Sequence, residues 1–284
     1  MRIRIFKRSI VFITVLSLLF FIFSCSTDTE IEEVEVIAEE DTEIIVHIGI
    51  HTEIQEDPTS LDYSEKYWPS LVELVELADD YGIKLTIQFI PQTAEFVLQD
   101  NKKLSIVRSW ERYGHELGFH HHGLSHKYWD GYTNAYSSIP KKSLLKYLGK
   151  MDDAIGLVNQ LSISGQVLTV GITDEGTDWI EGILYETEGF SDSDNSLLSE
   201  PHTTEEGSIE LYARPYATGK KIDVTLREIE EALLNVPEGY YSGITLSDNG
   251  YDTHKEEVEQ LFQFLQENNI KTQTIKETLS DYSS

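Results

Sequence analysis

The chain has 284 residues, of which 50 are acidic and 22 basic, giving a formal net charge of −28. So negative a surface repels the phosphates of nucleic acid and of anionic lipid headgroups, and neither is expected as a partner. A single cysteine, Cys25, excludes an internal disulfide, a cysteine-based metal site and a thiol nucleophile inside a folded domain.

Residues 1–24 start with Arg2, Arg4, Lys7 and Arg8, continue as an apolar run from Ile10 to Phe23, and end in Ser24. That order is an export signal. The run also approaches the length of a membrane span, and Cys25 tips the choice. The stretch "IFSC" resembles the lipobox of bacterial lipoproteins, in which cleavage precedes the cysteine and its thiol carries the lipid. The resemblance implies a signal peptide over 1–24 and a chain anchored in the membrane through lipidated Cys25. The protein would then sit in the cell envelope outside the cytoplasm, at the outer membrane or cell surface. Residues 25–43 are acidic and lack aromatics, and they read as a solvated tether. The folded domain is expected over 44–284.

That domain opens with "EIIVHIGIH", a β-branched run read as a buried strand. Residues 70–82 place Leu71, Leu74, Val75 and Leu77 at helical spacing and stop at Gly82. Residues 83–90 read as a second strand closed by Pro91, 104–114 as a helix and 115–120 as a third strand. Residues 141–161 read as one long amphipathic helix. A strand over 165–173, a short helix over 178–189 and a strand over 209–214 follow. A helix over 225–236, a strand over 241–247, a helix over 255–269 and a strand over 270–276 complete the chain. Residues 190–208 read as an insertion, and no internal repeat is visible. Alternating strands and helices imply βα units around a parallel sheet or barrel. In such folds the working residues gather at the C-terminal strand ends. Four polar clusters fall there: "HTEIQED" (51–57), "HHHGLSH" (120–126), "TDEGTD" (173–178) and "SDNGYDTH" (247–254).

The stretch "YGIKLTIQFIPQTAEFV…VRSWERYGHELGFHHHGLSH" resembles the core of the polysaccharide deacetylases, the NodB-like carbohydrate esterases. The C-terminal "YSGITLSDNGYDTHKEEVEQLFQFLQENNIKTQTIKETL" resembles that family's last unit. The resemblance spans most of 44–279 and is weak between about 140 and 240. It implies an α/β fold, a distorted seven-stranded (β/α) barrel, acting as a metal-dependent hydrolase that removes acyl groups from a glycan. There are departures. The family's first motif is an aspartate pair, and here Glu53 matches the ligand while the base position holds Thr52 or His51. The last motif's histidine aligns with Ser247, although Asp248 matches the acid beside it. An "RPY" motif (Arg214, Pro215, Tyr216) comes one or two strands later than expected.

Imidazole nitrogens and carboxylate oxygens are ordinary ligands for zinc and other divalent ions, and a catalytic site needs about three of them plus an open position. Glu53 with two of His120, His122 and His126 meets that need. His120 and His122 share a strand face, whereas His121 points away. Asp57, Asp174 and Asp248 are candidates to accept a proton, and His51 and His254 to protonate a leaving amine. His47, inside the first strand, gives little reason to invoke a ligand. Tyr128 and Trp129 are candidates to stack on a sugar ring. Two other functions compete: a non-catalytic glycan-binding module on a degenerate deacetylase fold, and a glycoside hydrolase on a related barrel, in which two carboxylates such as Glu53 and Asp174 or Asp248 flank the scissile bond.

Overall fold

The computed structural model describes residues 44–54, 57–172, 178–188, 197–222, 224–233, 236, 240–280 and 282. The expected signal peptide, Cys25, the acidic tether and Asp174 lie outside the described residues. The described residues belong to one compact unit, Thr42–Ser284.

Its first half alternates β1 (Ile45–His51), α1 (Asp62–Tyr81), β2 (Thr86–Phe89), α2 (Pro91–Leu98), α3 (Asn101–Arg112), β3 (Glu116–His121), α4 (Met151–Asn159) and β4 (Thr169–Ile172). The second half has shorter strands: β5 (Tyr185–Glu188), β6 (Leu198–Ser199), β7 (His202–Thr203), β8 (Ile209–Glu210), β9 (Arg214–Thr218) and β10 (Lys221–Ile222). It closes with α5 (Leu226–Leu233), β11 (Tyr241–Ser247), α6 (Asp248–Thr253), α7 (Lys255–Glu267), β12 (Lys271–Gln273) and α8 (Ile275–Ser280).

The sheet runs β10-β9-β11-β1-β2-β3-β4-β5-β8-β7, with β12 beside β1 and β6 beside β11. From β9 through β8 every neighbouring pair is parallel. The expected distorted (β/α) barrel is therefore present as a curled half-barrel, with more and shorter strands than seven.

Strand alternation divides each strand between two environments. Val46, Ile48 and Ile50 of β1 are fully buried with Leu71, Leu74, Val75 and Ala78 of α1 in the apolar core. The other face of β1 carries His47, Gly49 and His51 into a polar interior shared with Gln88 and Thr245. Helix α1 ends where Gly82 takes φ +70° and its N–H caps the carbonyls of Ala78 and Asp79, a left-handed stop that costs glycine no Cβ clash. Pro91 opens α2, where its missing N–H removes no helical bond. No helix among the described residues is long and apolar enough to cross a membrane.

Two local expectations are corrected, and one segment left unassigned is defined. The long helix over 141–161 does not form. Only α4 is α-helical there, and Lys141–Lys146 makes a 3-10 helix. The backbone between them is already engaged: Leu148 N–H donates to Gly131 O, Thr133 N–H donates to Gly149 O, and Tyr132 bridges Gly149. Those bonds take groups a continuous helix would need. Residues 185–188 form β5, because Glu186 and Thr187 pair with Val170 and Gly171. The polar cluster after β11 is helix α6, capped by Ser247, whose Oγ accepts Gly250 N–H at 3.1 Å.

Candidate metal centre

The C-terminal ends of β1, β3 and β11 deliver the expected residues to one place. Thr52 fixes the exit of β1: its N–H donates to Gln88 O, and its Oγ1 accepts Ile90 N–H at 2.9 Å. Gln92, on α2, then donates to Pro58 O and Asp130 O, holding the loops after β1 and β3 together. Glu53 follows Thr52, and its N–H donates to the Asp248 carboxylate at the start of α6, 3.4 Å away.

Ligand atoms of His51, Glu53 and His120 all lie within 4.8 Å of one another, a possible metal site. The His51 ring stacks on His120 with centroids 4.0 Å apart. His122 joins them, with Nε2 3.4 Å from Glu53 Oε2 and 3.0 Å from His120 Nε2. Both histidines spend Nδ1–H on backbone carbonyls: His120 on Gly171 O at 2.9 Å, His122 on Tyr128 O at 3.0 Å. A carbonyl only accepts, so Nδ1 carries the proton and Nε2 carries a lone pair. Two lone pairs thus face each other at 3.0 Å, too close to admit a bridging water.

Protonation does not relieve this contact at neutral pH. Burial pushes His51 down to about 4 and His122 down to about 3, and holds His120 well below its ordinary value. Neutral imidazole is the ligand form. The acids move the other way. Burial raises Glu53 to about 7, and burial followed by the Glu53 charge raises Asp248 well above the usual carboxylate range. Opposed lone pairs beside two strained carboxyls are the donor set a cation satisfies, and the Nδ1–H to carbonyl bonds are how metal-bound histidines are oriented. The residues therefore fit a divalent ion.

Other residues support this cluster without entering it. Gln88 Nε2 donates to Thr187 Oγ1 at 2.9 Å, which turns Oε1 toward β4. A Cβ on Gly171 would lie 2.7 Å from that oxygen and 2.9 Å from His51 Nε2, so only glycine lets both side chains approach. Gln88 was missed in the sequence, although a glutamine inside a buried four-residue strand is a signal.

The remaining candidates separate. His126 lies against His122 with centroids 4.1 Å apart and the rings tilted at 58°, but its Nδ1 accepts Tyr128 N–H, which leaves it one ring outside the cluster. Asp57 is exposed and accepts from Thr59 N–H and Oγ1. His254 stands at the junction of α6 and α7, 3.7 Å from Glu257. Arg214 opens β9 level with Ile244, three residues before the end of β11. Trp129 is buried with its indole N–H on Tyr132 O, so only the half-buried Tyr128 remains for stacking.

His121 faces the other side of β3, in line with Phe119. Its Nδ1 is 2.8 Å from Asp130 Oδ2, and its Nε2 is 3.4 Å from Asp178 Oδ2. Burial alone would lower its pKa, but the two carboxylates outweigh it and hold it up at about 9. Asp130 also accepts from the N–H groups of His122 and Tyr132, and Asp178 from Thr133 Oγ1 and Asn134 N–H. This buried imidazolium braces the loop that carries His122.

No family model and no curated protein matches the chain. Solved structures do. A protein of Mycobacterium smegmatis assigned as a polysaccharide deacetylase superposes with a TM-score of 0.53 at 12% identity, over 84% of this chain and 89% of that one. The 4-alpha-glucanotransferase of Thermococcus litoralis gives 0.52 at 13% identity. This chain spans 40% of that enzyme's length, with 84% of its own residues covered. Puue allantoinase gives 0.50 at 11% identity, over 81% of this chain and 86% of the other. The deacetylase likeness read from the sequence is thus borne out in the fold.

Proposed function

We propose that the chain is a divergent polysaccharide deacetylase, a metal-dependent hydrolase removing acetyl groups from an envelope glycan. The observation that carries this reading is the pair of opposed Nε2 lone pairs of His120 and His122 beside Glu53 and His51, at the C-terminal strand ends of a deacetylase-like sheet. Zinc suits such a set of imidazoles and one carboxylate. When bound, a divalent ion acidifies a coordinated water and polarises a carbonyl oxygen, the chemistry that cleaves an acetamide or ester.

The chain's own groups supply the rest. His51 belongs with Glu53, His120 and His122 as a ligand rather than with the proton carriers. Asp248, buried against the Glu53 backbone, is the carboxyl next to the site that can take a proton. His126 Nδ1 receives Tyr128 N–H, so its Nε2–H is placed to donate a hydrogen bond to a substrate oxygen rather than to act as a general acid. Tyr128 offers a ring face to a sugar.

The test measures bound metal and acetate release from acetylated oligosaccharides, for the wild type and for His120→Ala/His122→Ala. The reading expects metal in the wild type and loss of both metal and acetate in the variant. A metal-free protein whose variant behaves identically would falsify it. One observation favours a non-catalytic glycan-binding module: Ser247, where the family keeps a histidine, is committed to capping α6. Chelator-insensitive glycan binding without acetate release identifies that case, and new reducing ends without acetate identify a glycosidase. Lipid anchoring through Cys25 belongs to the same proposal. Replacing Cys25 by Ser is expected to release the protein from the membrane fraction, and retention there would count against it.

A further inference from the structure

Among the described residues, the excursion over 131–150 differs from its surroundings. It contains Lys141, Lys142, Lys146 and Lys150 and not one aspartate or glutamate, in a chain with 50 acidic residues. It also exposes Tyr136 (58%), Leu144 (40%), Leu145 (93%) and Leu148 (39%). These are four of the nine large hydrophobic side chains exposed among the described residues. Tyr147 packs edge-on against Tyr136, centroids 5.0 Å apart. The periodic leucines that suggest an amphipathic helix here are thus turned to solvent instead of the core.

Single exposed leucines are ordinary, but a cluster of them ringed by polar groups marks an interaction surface. Leucine side chains beside lysines suit the boundary of a bilayer, where apolar groups enter the acyl region and ammonium groups meet phosphates. A polyanionic sugar would explain the lysines, but a leucine offers a sugar ring neither a stacking face nor a hydrogen bond. The net charge of −28 opposes the approach of the chain as a whole to an anionic surface, but not the contact of one segment. Screening limits electrostatic reach to about 8 Å at physiological ionic strength, so the lysine-bearing segment acts locally. The acidic remainder is pushed away from the same surface, which selects one orientation.

We propose that residues 136–148 form a docking surface for a lipid layer bearing anionic headgroups, with Leu145 at its tip. The excursion springs from Asp130, which holds the His122 N–H. Its Lys146 also acts on Asp57, whose carboxyl is held below its usual range first by the Thr59 hydrogen bonds and then by that lysine. Docking would therefore bring the loops after β1 and β3 to the lipid surface. The inference stands on exposure and charge and does not depend on the proposed chemistry.

Hydrogen–deuterium exchange on the full chain tests it locally, whatever residues 1–43 do. Vesicles of phosphatidylcholine are compared with vesicles containing phosphatidylglycerol. Exchange over 136–148 is expected to slow on the anionic vesicles only. A lysine near such a surface is worth about fivefold in affinity, so Lys141→Glu/Lys142→Glu should raise the anionic-vesicle concentration needed for half-maximal protection by at least about 25-fold, and Leu145→Ser should also weaken binding. Unchanged exchange over β1 and β3 in these variants confirms that they fold. Unaltered exchange on anionic vesicles overturns the proposal. Protection by soluble polyuronate but not by vesicles also overturns it and makes the patch a sugar site.

Discussion

The two faces of β3 hold the same residue type in opposite states. His120 and His122 face the polar interior, give their Nδ1–H to carbonyls and remain neutral with lone pairs opposed. His121, between them in sequence, faces outward and is held as a cation by Asp130 and Asp178. All three are buried. Burial favours neutral imidazole, and what separates the faces is whether carboxylates are aimed at the ring strongly enough to outweigh it. The outer face carries its own charge balance. The inner face is left short of a positive charge.

Removing the outer cation should have the largest effect. His121→Ala leaves two buried carboxylates without their cation and should cost about 3–5 kcal/mol, read by chemical denaturation at pH 7. The pH dependence sharpens this. His121 is raised from 6.5 to about 9 on folding, so its contribution is fully present below pH 6.5 and is lost as pH rises through 9. The gap between wild type and variant should close over that window, and a constant gap to pH 10 would contradict a charged His121.

The inner face should respond to ions instead. Saturating zinc, at about a thousand times its dissociation constant, should stabilise the wild type by about 4 kcal/mol, read as a rise in thermal midpoint. His122→Ala should abolish that rise and, without metal, cost less than His121→Ala. A zinc shift that survives the substitution would place the ion elsewhere.

Gly171→Ala comes next. Its Cβ would press on Gln88 and His51 and should cost about 1–3 kcal/mol. As a disturbance one layer behind the ligands it should also weaken zinc about 10–100-fold, measured by competition with a chelating dye.

The smallest effect has the opposite sign. Burial raises Glu53 from 4.5 to about 7, so the metal-free folded state retains a proton that the unfolded chain has lost, and stability falls as pH rises from 4.5 through 7. Because the side chain keeps 22% exposure, Glu53→Gln should stabilise metal-free protein at pH 8 by only about 1–2 kcal/mol. The same variant should lose much of the zinc-dependent rise. If it destabilises the metal-free protein, Glu53 is not strained by its burial.

The sequence carried the inner face better than the outer. Consecutive histidines at a strand end, with Glu53 at the end of another, are legible because period-2 alternation and strand-end placement are local rules. His51 was legible as a site residue, but its stacking on His120 depends on β1 and β3 being brought together across β2. The partners of His121 were not legible. Asp130 lies nine residues on, and Asp178 is the last of a six-residue polar run in which Asp174 drew attention instead. Nothing in spacing says which acid folds back onto an imidazole. The helix expected over 141–161 fails for a related reason: periodicity shows that an apolar stripe exists and cannot say whether the core receives it.

The neck of the 131–150 excursion has a consequence for how the chain could vary. Gly131, Tyr132 and Thr133 are already hydrogen-bonded or bridged to Leu148 and Gly149, so the two ends of the insertion meet without help from what lies between them. Closing a loop costs only slowly more as it lengthens. The segment between Asn134 and Tyr147 could therefore be shortened, lengthened or exchanged while β3 and α4 keep their places. The protein's contact with its surroundings could diversify in that one segment while the imidazole cluster stayed as it is.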